Sequence, residues 1–370
     1  MSNSGSGRDP GQRIQGRPPL NRDTFTYREI LEQPEAWRRA LTSARDQWPA
    51  VGNGLAPALT DGNLVVTGCG SSYYLSLAAA AQLRLALGRP VAVLPSSEIL
   101  IHSPASLGLS RYALLSISRS GETTEVVLAT QRARREHQAP VLAVSCYGQS
   151  SLAGLGDVAL VVESGQETSV VMTKSFTSIL LAIQLIAGRL AGGPLDAELE
   201  CVPDVLSRLL PEYASVSEEA GALPGIEKRI FLGSGPYYGL ACEANLKMKE
   251  MAIVTSEVYH CLEFRHGPIS IVDSTTMVTC FISDAGRAYE VPLLAELKAL
   301  GATLFVICEK SEPDISAHAD YLVELGSGLS EATRAVLYLP FAHLLAYSCA
   351  VTRGENPDSP RNLTQVVKLS

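Results

Sequence analysis

The stretch LVVTGCGSSYYLSLA, residues 64–78, decides the fold. An apolar strand runs into a G-x-G turn, and a helix begins directly after the turn. The same order of strand, G-x-G turn and helix recurs in RIFLGSGPYYGLACEA, residues 229–244. An internal repeat of this kind predicts two lobes of similar topology, at about 50–195 and 215–350.

Short apolar runs alternate with helical stretches around each copy of the repeat. The runs are rich in Val, Leu and Ile and lack strict alternation, as is typical of strands that are buried on both faces. Their alternation with helices predicts βαβ units and a mostly parallel sheet in each lobe, hence an α/β fold. The runs are NLVVTGCG, PVAVLPSS, RYALLSISRSG, PVLAVSC and DVALVVES in the first half, and KRIFLGSGP, TTMVTCFIS, ATLFVICEK and HADYLVELG in the second.

Length and composition narrow the class of protein. The chain has 370 residues, of which 46% are hydrophobic and 18% charged, so it can fill sizeable cores and a single small binding module is excluded. The net charge of -8 disfavours nucleic acid as a partner. Residues 1–20 are rich in Gly, Ser, Arg and Pro and lack an apolar signal core, so we expect a disordered tail and no secretory signal.

Cysteine usage and hydropathy point to the cytoplasm. Eight cysteines are scattered singly without a C-x-x-C pair, which argues for a reducing compartment and against a zinc or disulfide framework. The two most apolar stretches are interrupted, 178–190 by Gln184 and Arg189, and 335–351 by Pro340 and His343. Neither offers the roughly 20 apolar residues that a membrane span needs.

Two loops are candidate phosphate sites. In the first, Gly70, Ser71 and Ser72 place free backbone N–H groups and hydroxyls at a helix start, although a plain turn that needs glycine for its geometry explains this loop equally well. The second, SISRSGETTE at 116–125, carries five hydroxyl side chains, more than ordinary helix capping uses. Because the carboxyl ends of parallel strands line one crevice, we expect the two loops to face each other.

The densest cluster of ionisable groups lies in ACEANLKMKEMAIVTSEVYHCLEFRHGP, residues 241–268. Glu243, Lys247 and Glu250 fall on one face of a helix, and His266 follows in the next loop. Such a stripe is either a solvated, ion-paired face or a site for proton transfer next to a carbonyl group. Local chemistry leaves both alternatives open.

Several motifs taken together resemble a known family. They are GCGSSY, SRSGETTE, TKSFTS (173–178), LKMKE, LEFRHGP and ENPDSPRNL. The chain resembles the double sugar-isomerase (SIS) domain proteins, most closely the isomerase half of glutamine–fructose-6-phosphate aminotransferase, from TYREILEQP at 26–34 to PRNLTQVV at 360–367. The resemblance implies two tandem SIS-type lobes, each a mostly parallel sheet flanked by helices in a flavodoxin-like three-layer α/β/α arrangement.

The predicted organisation has five parts. They are a disordered tail at 1–23, an N-terminal helical segment at 24–49, SIS domains at 50–200 and 201–355, and a C-terminal tail at 356–370 that closes over the site.

The resemblance also implies roles for individual residues. Glu250 corresponds to the carboxylate that carries a proton between C1 and C2, Lys247 to its lysine neighbour, and His266 to the ring-opening histidine that a dimer partner supplies. A homodimer is therefore expected, with no metal or redox cofactor. The implied substrate-binding residues are Gly70, Ser71, Ser72, Ser118, Arg119, Ser120, Thr123 and Gln365.

Three departures from the aminotransferase pattern shape the functional hypothesis. The sequence begins MSNSGSG with no glutaminase domain, so we expect no glutamine hydrolysis. Gln365 stands where the family has a lysine that forms an imine, and an amide cannot do this. Lys368, three residues on, is either a substitute for that lysine or a solvated terminal residue, and we favour the second. Arg119 replaces a Gln and would add a positive charge to the pocket.

The hypothesis is a phosphosugar isomerase or deaminase that converts glucosamine 6-phosphate to fructose 6-phosphate and ammonia. Alternatives are a fructosamine-6-phosphate deglycase, a ketose/aldose-6-phosphate isomerase and, in a different class, a non-catalytic sugar-phosphate sensor.

Overall fold

A computed structural model describes residues 21–108, 111–193 and 195–369, so residues 1–20 of the predicted tail lie outside the described residues. The helices are α1 (Phe25–Leu31), α2 (Gln33–Asp61), α3 (Ser71–Leu87), α4 (Ser96–Ser106), α5 (Thr124–His137), α6 (Ser151–Leu155), α7 (Lys174–Leu190), α8 (Asp196–Gly221), α9 (Pro236–Ala252), α10 (Arg287–Ala299), α11 (Pro313–Ser316), α12 (Glu331–Arg334) and α13 (Leu339–Thr352). The strands are β1 (Leu64–Gly68), β2 (Ala92–Pro95), β3 (Ala113–Ile117), β4 (Val141–Ser145), β5 (Val158–Val161), β6 (Lys228–Gly233), β7 (Ser256–Tyr259), β8 (Thr276–Phe281), β9 (Thr303–Cys308) and β10 (Tyr321–Glu324).

The strands form two five-stranded sheets of the same topology. The first has the order β2-β1-β3-β4-β5, and the second, read from its opposite edge, β7-β6-β8-β9-β10. Every pairing is parallel. The predicted α/β fold with two similar lobes is confirmed, since the repeat is one βαβ arrangement built twice.

Burial explains the unbroken apolar runs. Every residue of β1, β3, β4 and β8 is buried, because helices cover both faces of a parallel sheet. Helix α3 packs against α7 and α9, and α9 packs against α13. One apolar cluster contains residues from both sheets and from these four helices, so the lobes share a core.

One helical stretch, Glu331–Thr352, is long and apolar enough to span a membrane. The protein interior buries 89% of the most apolar part of this stretch, and helices α8 and α9 pack against it. It is therefore accounted for as a central core helix of the second lobe.

The G-x-G turns have the same backbone geometry in both lobes. Gly70 has φ 56° and Gly235 has φ 54°, a region that residues with a side chain rarely adopt. Gly70 follows β1, which lies beside β3 in the sheet although β2 separates them in sequence. The turn thus opens at a topological switch point, where α/β proteins form a crevice.

Candidate functional site

A cavity of about 290 Å³ lies beyond the carboxyl ends of β1 and β3. Its size suits a small ligand. It brings together most of the residues selected from the sequence, including the two candidate phosphate loops, which face each other as expected. The selected residues in its lining are Gly70, Ser71, Ser72, Ser118, Arg119, Ser120, Thr123, Glu250 and Gln365.

Three hydroxyls of the second loop line the cavity. Ser118 Oγ accepts a hydrogen bond from Gly121 N at 3.1 Å and lies 3.3 Å from Thr123 Oγ1. Ser120 Oγ accepts from Glu122 N at 3.1 Å. These bonds fix the loop. One O–H of the Ser118–Thr123 pair is used within the pair, and the other and that of Ser120 are left to donate, so the loop can meet an anion with neutral donors.

The other two hydroxyls of the loop serve different contacts. Ser116 Oγ lies 2.8 Å from Thr130 Oγ1 in the interior, and Thr124 Oγ1 accepts from Leu369 N at 3.2 Å. Of the five hydroxyl side chains noted from the sequence, three therefore line the cavity.

Arg119 is held by a buried carboxylate. Its Nη1 lies 3.5 Å from Glu167 Oε2, and its Nη2 donates to Gln365 O at 3.0 Å. Both side chains are buried, with exposed fractions of 7% and 0%. The expected positive charge is present at the cavity, but Glu167 pairs with it.

Lys247 and its two carboxylates resolve the alternatives for the stripe on α9. Glu243 and Lys247 are fully buried, so the stripe is not a solvated face. Lys247 Nζ lies 3.2 Å from Glu243 Oε1, donates to Ser71 Oγ at 3.0 Å and forms an ion pair with Glu250. Because Ser71 belongs to the first lobe and Lys247 to the second, the cluster joins the lobes at the cavity.

Burial perturbs the titration of this cluster. Burial raises the pKa of Glu243 to about 7, the charge of Lys247 opposes the rise and that of Glu250 adds to it. Burial alone would lower the pKa of Lys247, but the carboxylates of Glu243 and Glu250 raise it above its ordinary value. Burial and nearby Lys247 lower the pKa of His343, on α13, to about 3, so this imidazole stays neutral.

Sequence reasoning missed several lining residues. Glu125 ends the SRSGETTE motif and lines the cavity, and its Oε2 is buried without a hydrogen-bond partner among the described residues. Val170 and Met172 come from the loop before α7, ahead of the TKSFTS motif. The only local indication that Glu125 lines a site was its place at the end of the hydroxyl-rich loop. For Val170 and Met172 the sequence gives no such indication, because apolar loop residues are common.

The segment 356–369, here named the C-terminal strap, lies along the cavity. Leu363, Thr364, Gln365 and Val367 are in the lining. The side chain of Gln365 donates from Nε2 to Glu167 O at 3.1 Å. Lys368 is exposed and is not among the lining residues.

His266 is the one selected catalytic residue that the fold keeps away from this cavity. It is exposed, between the 3-10 turns Glu263–Arg265 and Pro268–Ile271, and it is absent from the lining. Lys247 also lies outside the lining but contacts Ser71 and Glu250, which belong to it.

The second lobe uses its equivalent loop differently. After β8, Ser283 donates from N and Oγ to Glu290 Oε2 at 2.8 and 3.0 Å. After the Gly235 turn, Pro236 and Tyr237 stand where the first lobe has Ser71 and Ser72. A carboxylate of the protein thus accepts from both Ser283 donors, so neither is free to bind a ligand.

The fold and the cavity define a two-lobed parallel α/β protein with a polar pocket for a small ligand at the edge of its first sheet. The SIS domain model matches residues 60–189 and 225–350. The chain belongs to the SIS domain family, whose relatives include phosphosugar isomerases.

Known proteins are similar over nearly the whole chain. The glutamine–fructose-6-phosphate aminotransferase of Pyrobaculum aerophilum is 32% identical over 359 residues, which cover 93% of this chain and 57% of that relative. The chain therefore spans little more than half the length of this relative. Glucosamine-6-phosphate deaminase from Thermotoga maritima matches with a TM-score of 0.74 and 28% identity, covering 94% of this chain and all of that one. Tagatose-6-phosphate ketose/aldose isomerase from Escherichia coli has a TM-score of 0.82 and 25% identity, covering 93% and 96%.

Proposed function

We propose that this protein is a phosphosugar isomerase and deaminase that converts glucosamine 6-phosphate to fructose 6-phosphate with release of ammonia. One observation carries the proposal: a single cavity is lined by both hydroxyl loops and by Glu250, and Lys247 pairs with Glu250 from outside the lining. The loops suit a phosphate group, and the carboxylate suits proton transfer at the other end of the same small ligand.

The chemistry needs one proton carrier and one water molecule. Glu250 takes the proton from C2 of the open-chain amino sugar and returns it to C1, while the amino nitrogen loses a proton and O1 gains one, so that C1 becomes an alcohol and C2 an imine. Water adds to C2, the carbon–nitrogen bond breaks, and ammonia leaves as the ketone forms. Lys247 holds the Glu250 carboxylate in place, and the phosphate supplies binding energy remote from the reacting carbons.

Ring opening is assigned to His266 of a second copy. His266 is exposed and lies outside the lining, so in this proposal a homodimer places it against the partner's cavity. The partners are then the sugar phosphate and a second chain. We place the protein in the cytoplasm, in keeping with eight unpaired cysteines.

Gln365 favours deamination or isomerisation over synthesis of the amino sugar. Its amide nitrogen donates to the carbonyl oxygen of Glu167, and an amide cannot form an imine with a ketose. The similarity to the Thermotoga maritima deaminase supports deamination. The similarity to the Escherichia coli ketose/aldose isomerase supports a second candidate, isomerisation of a ketose 6-phosphate without loss of nitrogen.

Turnover of a defined panel tests the proposal. Purified protein is incubated with glucosamine 6-phosphate, fructosamine 6-phosphate and tagatose 6-phosphate, and ammonia and product sugars are measured. Ammonia and fructose 6-phosphate from the first substrate are expected. Turnover of only another panel member would assign the protein to the deglycase or isomerase alternative, and binding without any turnover would favour a sensor.

Glu250→Gln tests the proton carrier. We expect kcat to fall by about 10²–10⁴-fold while binding of glucosamine 6-phosphate stays within about threefold, because the variant keeps the shape of the side chain but cannot accept the proton. Glu257→Gln, an exposed carboxylate on β7, is the matched control and should keep full activity. A Glu250→Gln variant that turns over normally would exclude this role for Glu250.

A further inference from the structure

The motif ENPDSPRNL contains a carboxylate with unusually many partners. Asp358 Oδ1 accepts hydrogen bonds from Thr26 N and Thr26 Oγ1, both at 2.7 Å, and Oδ2 accepts from Phe25 N at 2.9 Å. These donors belong to the first turn of α1, whose amide groups have no partner within the helix. One side chain of the C-terminal strap thus caps a helix more than 300 residues earlier in the chain.

The backbone of Asp358 also holds the wall of the cavity. Its carbonyl oxygen accepts from Val170 N at 3.1 Å, and Val170 is a lining residue. The same loop is tied to α1 from its other side, since Glu29 Oε2 accepts from Ser169 N at 3.3 Å. Helix α1, the loop before α7 and the strap therefore meet at Asp358.

Beyond Asp358, the strap is hydrogen-bonded to the first lobe again at Gln365 and Val367. Arg119 Nη2 donates to Gln365 O at 3.0 Å, and Thr124 N donates to Val367 O at 3.3 Å. Between the two attachments run Leu363 and Thr364, which line the cavity. Both attachments together hold these residues, because the strap has no helix or strand of its own.

We propose that Asp358 is a positioning residue for the substrate cavity: by capping α1 and bonding the loop at Val170, it fixes the register of the strap over the sugar phosphate. This inference rests on the proposed function for its substrate, but not for the position of the strap. Asp358 touches no reacting atom in this scheme, so its loss should affect binding more than turnover.

Asp358→Asn is the central test. The variant amide keeps one oxygen for the Thr26 donors but presents an N–H group to Phe25 N, so part of the cap is lost with little change in volume. We expect hydrogen–deuterium exchange of 359–369 to rise by about tenfold and the KM for glucosamine 6-phosphate to rise by a similar factor, with kcat within about threefold. Unchanged exchange of 359–369 would overturn the proposal whatever the substrate proves to be.

Glu218→Gln is the matched control. Glu218 also holds α1, since Tyr27 Oη donates to its Oε1 at 2.9 Å. Its side chain also accepts a hydrogen bond from Arg22, and its carbonyl oxygen accepts one from Ser348, and both partners lie outside the strap. It should leave exchange of 359–369 and KM near wild type. An equal rise in KM for both variants would mean that Asp358 acts only through the stability of α1, against the proposal.

Thr26→Val keeps the proposal testable if Asp358→Asn does not fold. It removes one donor to Asp358 and leaves both backbone donors in place. A smaller rise in exchange of 359–369 is expected, and no rise would count against the proposal. If none of the sugar phosphates is turned over, the dissociation constant of glucosamine 6-phosphate, measured by calorimetry, replaces KM. Hydrogen–deuterium exchange of 359–369 then still tests the role of Asp358.

Discussion

At the scale of single residues, Glu243 has the most unusual environment in the site. Its side chain is fully buried, and a single ion pair to Lys247, at 3.2 Å, faces its carboxylate. Lys247 is shared with Glu250 and Ser71. Two carboxylates therefore share one ammonium group, and burial raises the pKa of the fully buried one, Glu243.

Glu243→Gln should change how stability depends on pH. Burial raises the pKa of Glu243 from 4.5 to about 7 in the folded protein, so the folded state binds more protons than the unfolded state between these values. The free energy of unfolding of the wild type should then fall relative to the variant as pH rises from about 5 to about 7, by at most about 1.4 kcal/mol per pH unit. Below pH 4.5 the two curves should run parallel.

Chemical denaturation of both proteins at several pH values measures this difference. Burial also raises the pKa of Glu29 and Glu290, but these groups are present in both proteins and cancel in the comparison. Curves that stay parallel from pH 5 to pH 7 would contradict a raised pKa for Glu243.

At the scale of elements, Glu167 organises the start of α7. Its Oε1 accepts from Thr173 N at 2.7 Å, Thr173 Oγ1 at 2.8 Å and Ser175 N at 3.2 Å, while Arg119 approaches Oε2. The helix start, the loop that lines the cavity and the guanidinium thus share one buried carboxylate. Glu167 therefore fixes both the first turn of α7 and the position of Arg119 in the cavity lining.

Glu167→Gln should destabilise the protein by about 1–3 kcal/mol. The amide keeps an acceptor for part of the cap but leaves Arg119 without a counter-charge in the interior. Glu163→Gln is the matched control, an exposed carboxylate in the preceding 3-10 turn, and should stay within about 0.5 kcal/mol of wild type. Equal denaturation midpoints for the two variants would show that the contacts of Glu167 do not stabilise the protein as proposed.

At the scale of the whole molecule, the repeat places two equivalent helices against each other. Helix α3 of the first lobe and α9 of the second each follow a G-x-G turn, and they pack together. At Gly239 on α9, an added Cβ would lie 2.6 Å from Ala78 N and 3.0 Å from Tyr74 O. The helices approach this closely only because position 239 has no side chain.

Gly239→Ala should separate the lobes slightly and lower both stability and activity. Alanine favours a helix, but overpacking against backbone costs about 1–3 kcal/mol, which outweighs a propensity gain of about 1 kcal/mol. Turnover should fall as well, since α9 carries Lys247 and α3 carries Ser71. The control is Gly154→Ala on α6, where an added Cβ meets nothing within 4 Å and stability should be kept or rise. A Gly239→Ala protein as stable and active as wild type would contradict this packing.

The local order of residues 64–78 and 229–244 was sufficient to predict the two α/β lobes. Buried parallel strands require unbroken apolar runs, and a turn with positive φ requires glycine, so both signals lie within a few residues. The hydroxyl-rich loop 116–125 was also recognisable from the sequence, because its five hydroxyl side chains lie within ten consecutive residues. The proposed roles of Glu250 and His266 come from the resemblance to the family. The cavity does not test these roles, so they stay predictions.

Only the tertiary structure decided what surrounds the charged groups. From sequence, the stripe at Glu243, Lys247 and Glu250 fitted a solvated, ion-paired face as well as a site for proton transfer. No residue close to Arg119 in sequence indicated that Glu167 is its partner. Asp358 likewise gave no sign that it caps α1. Burial and pairing arise between residues 48 to more than 300 positions apart, and helical or strand periodicity carries no information about contacts at that separation.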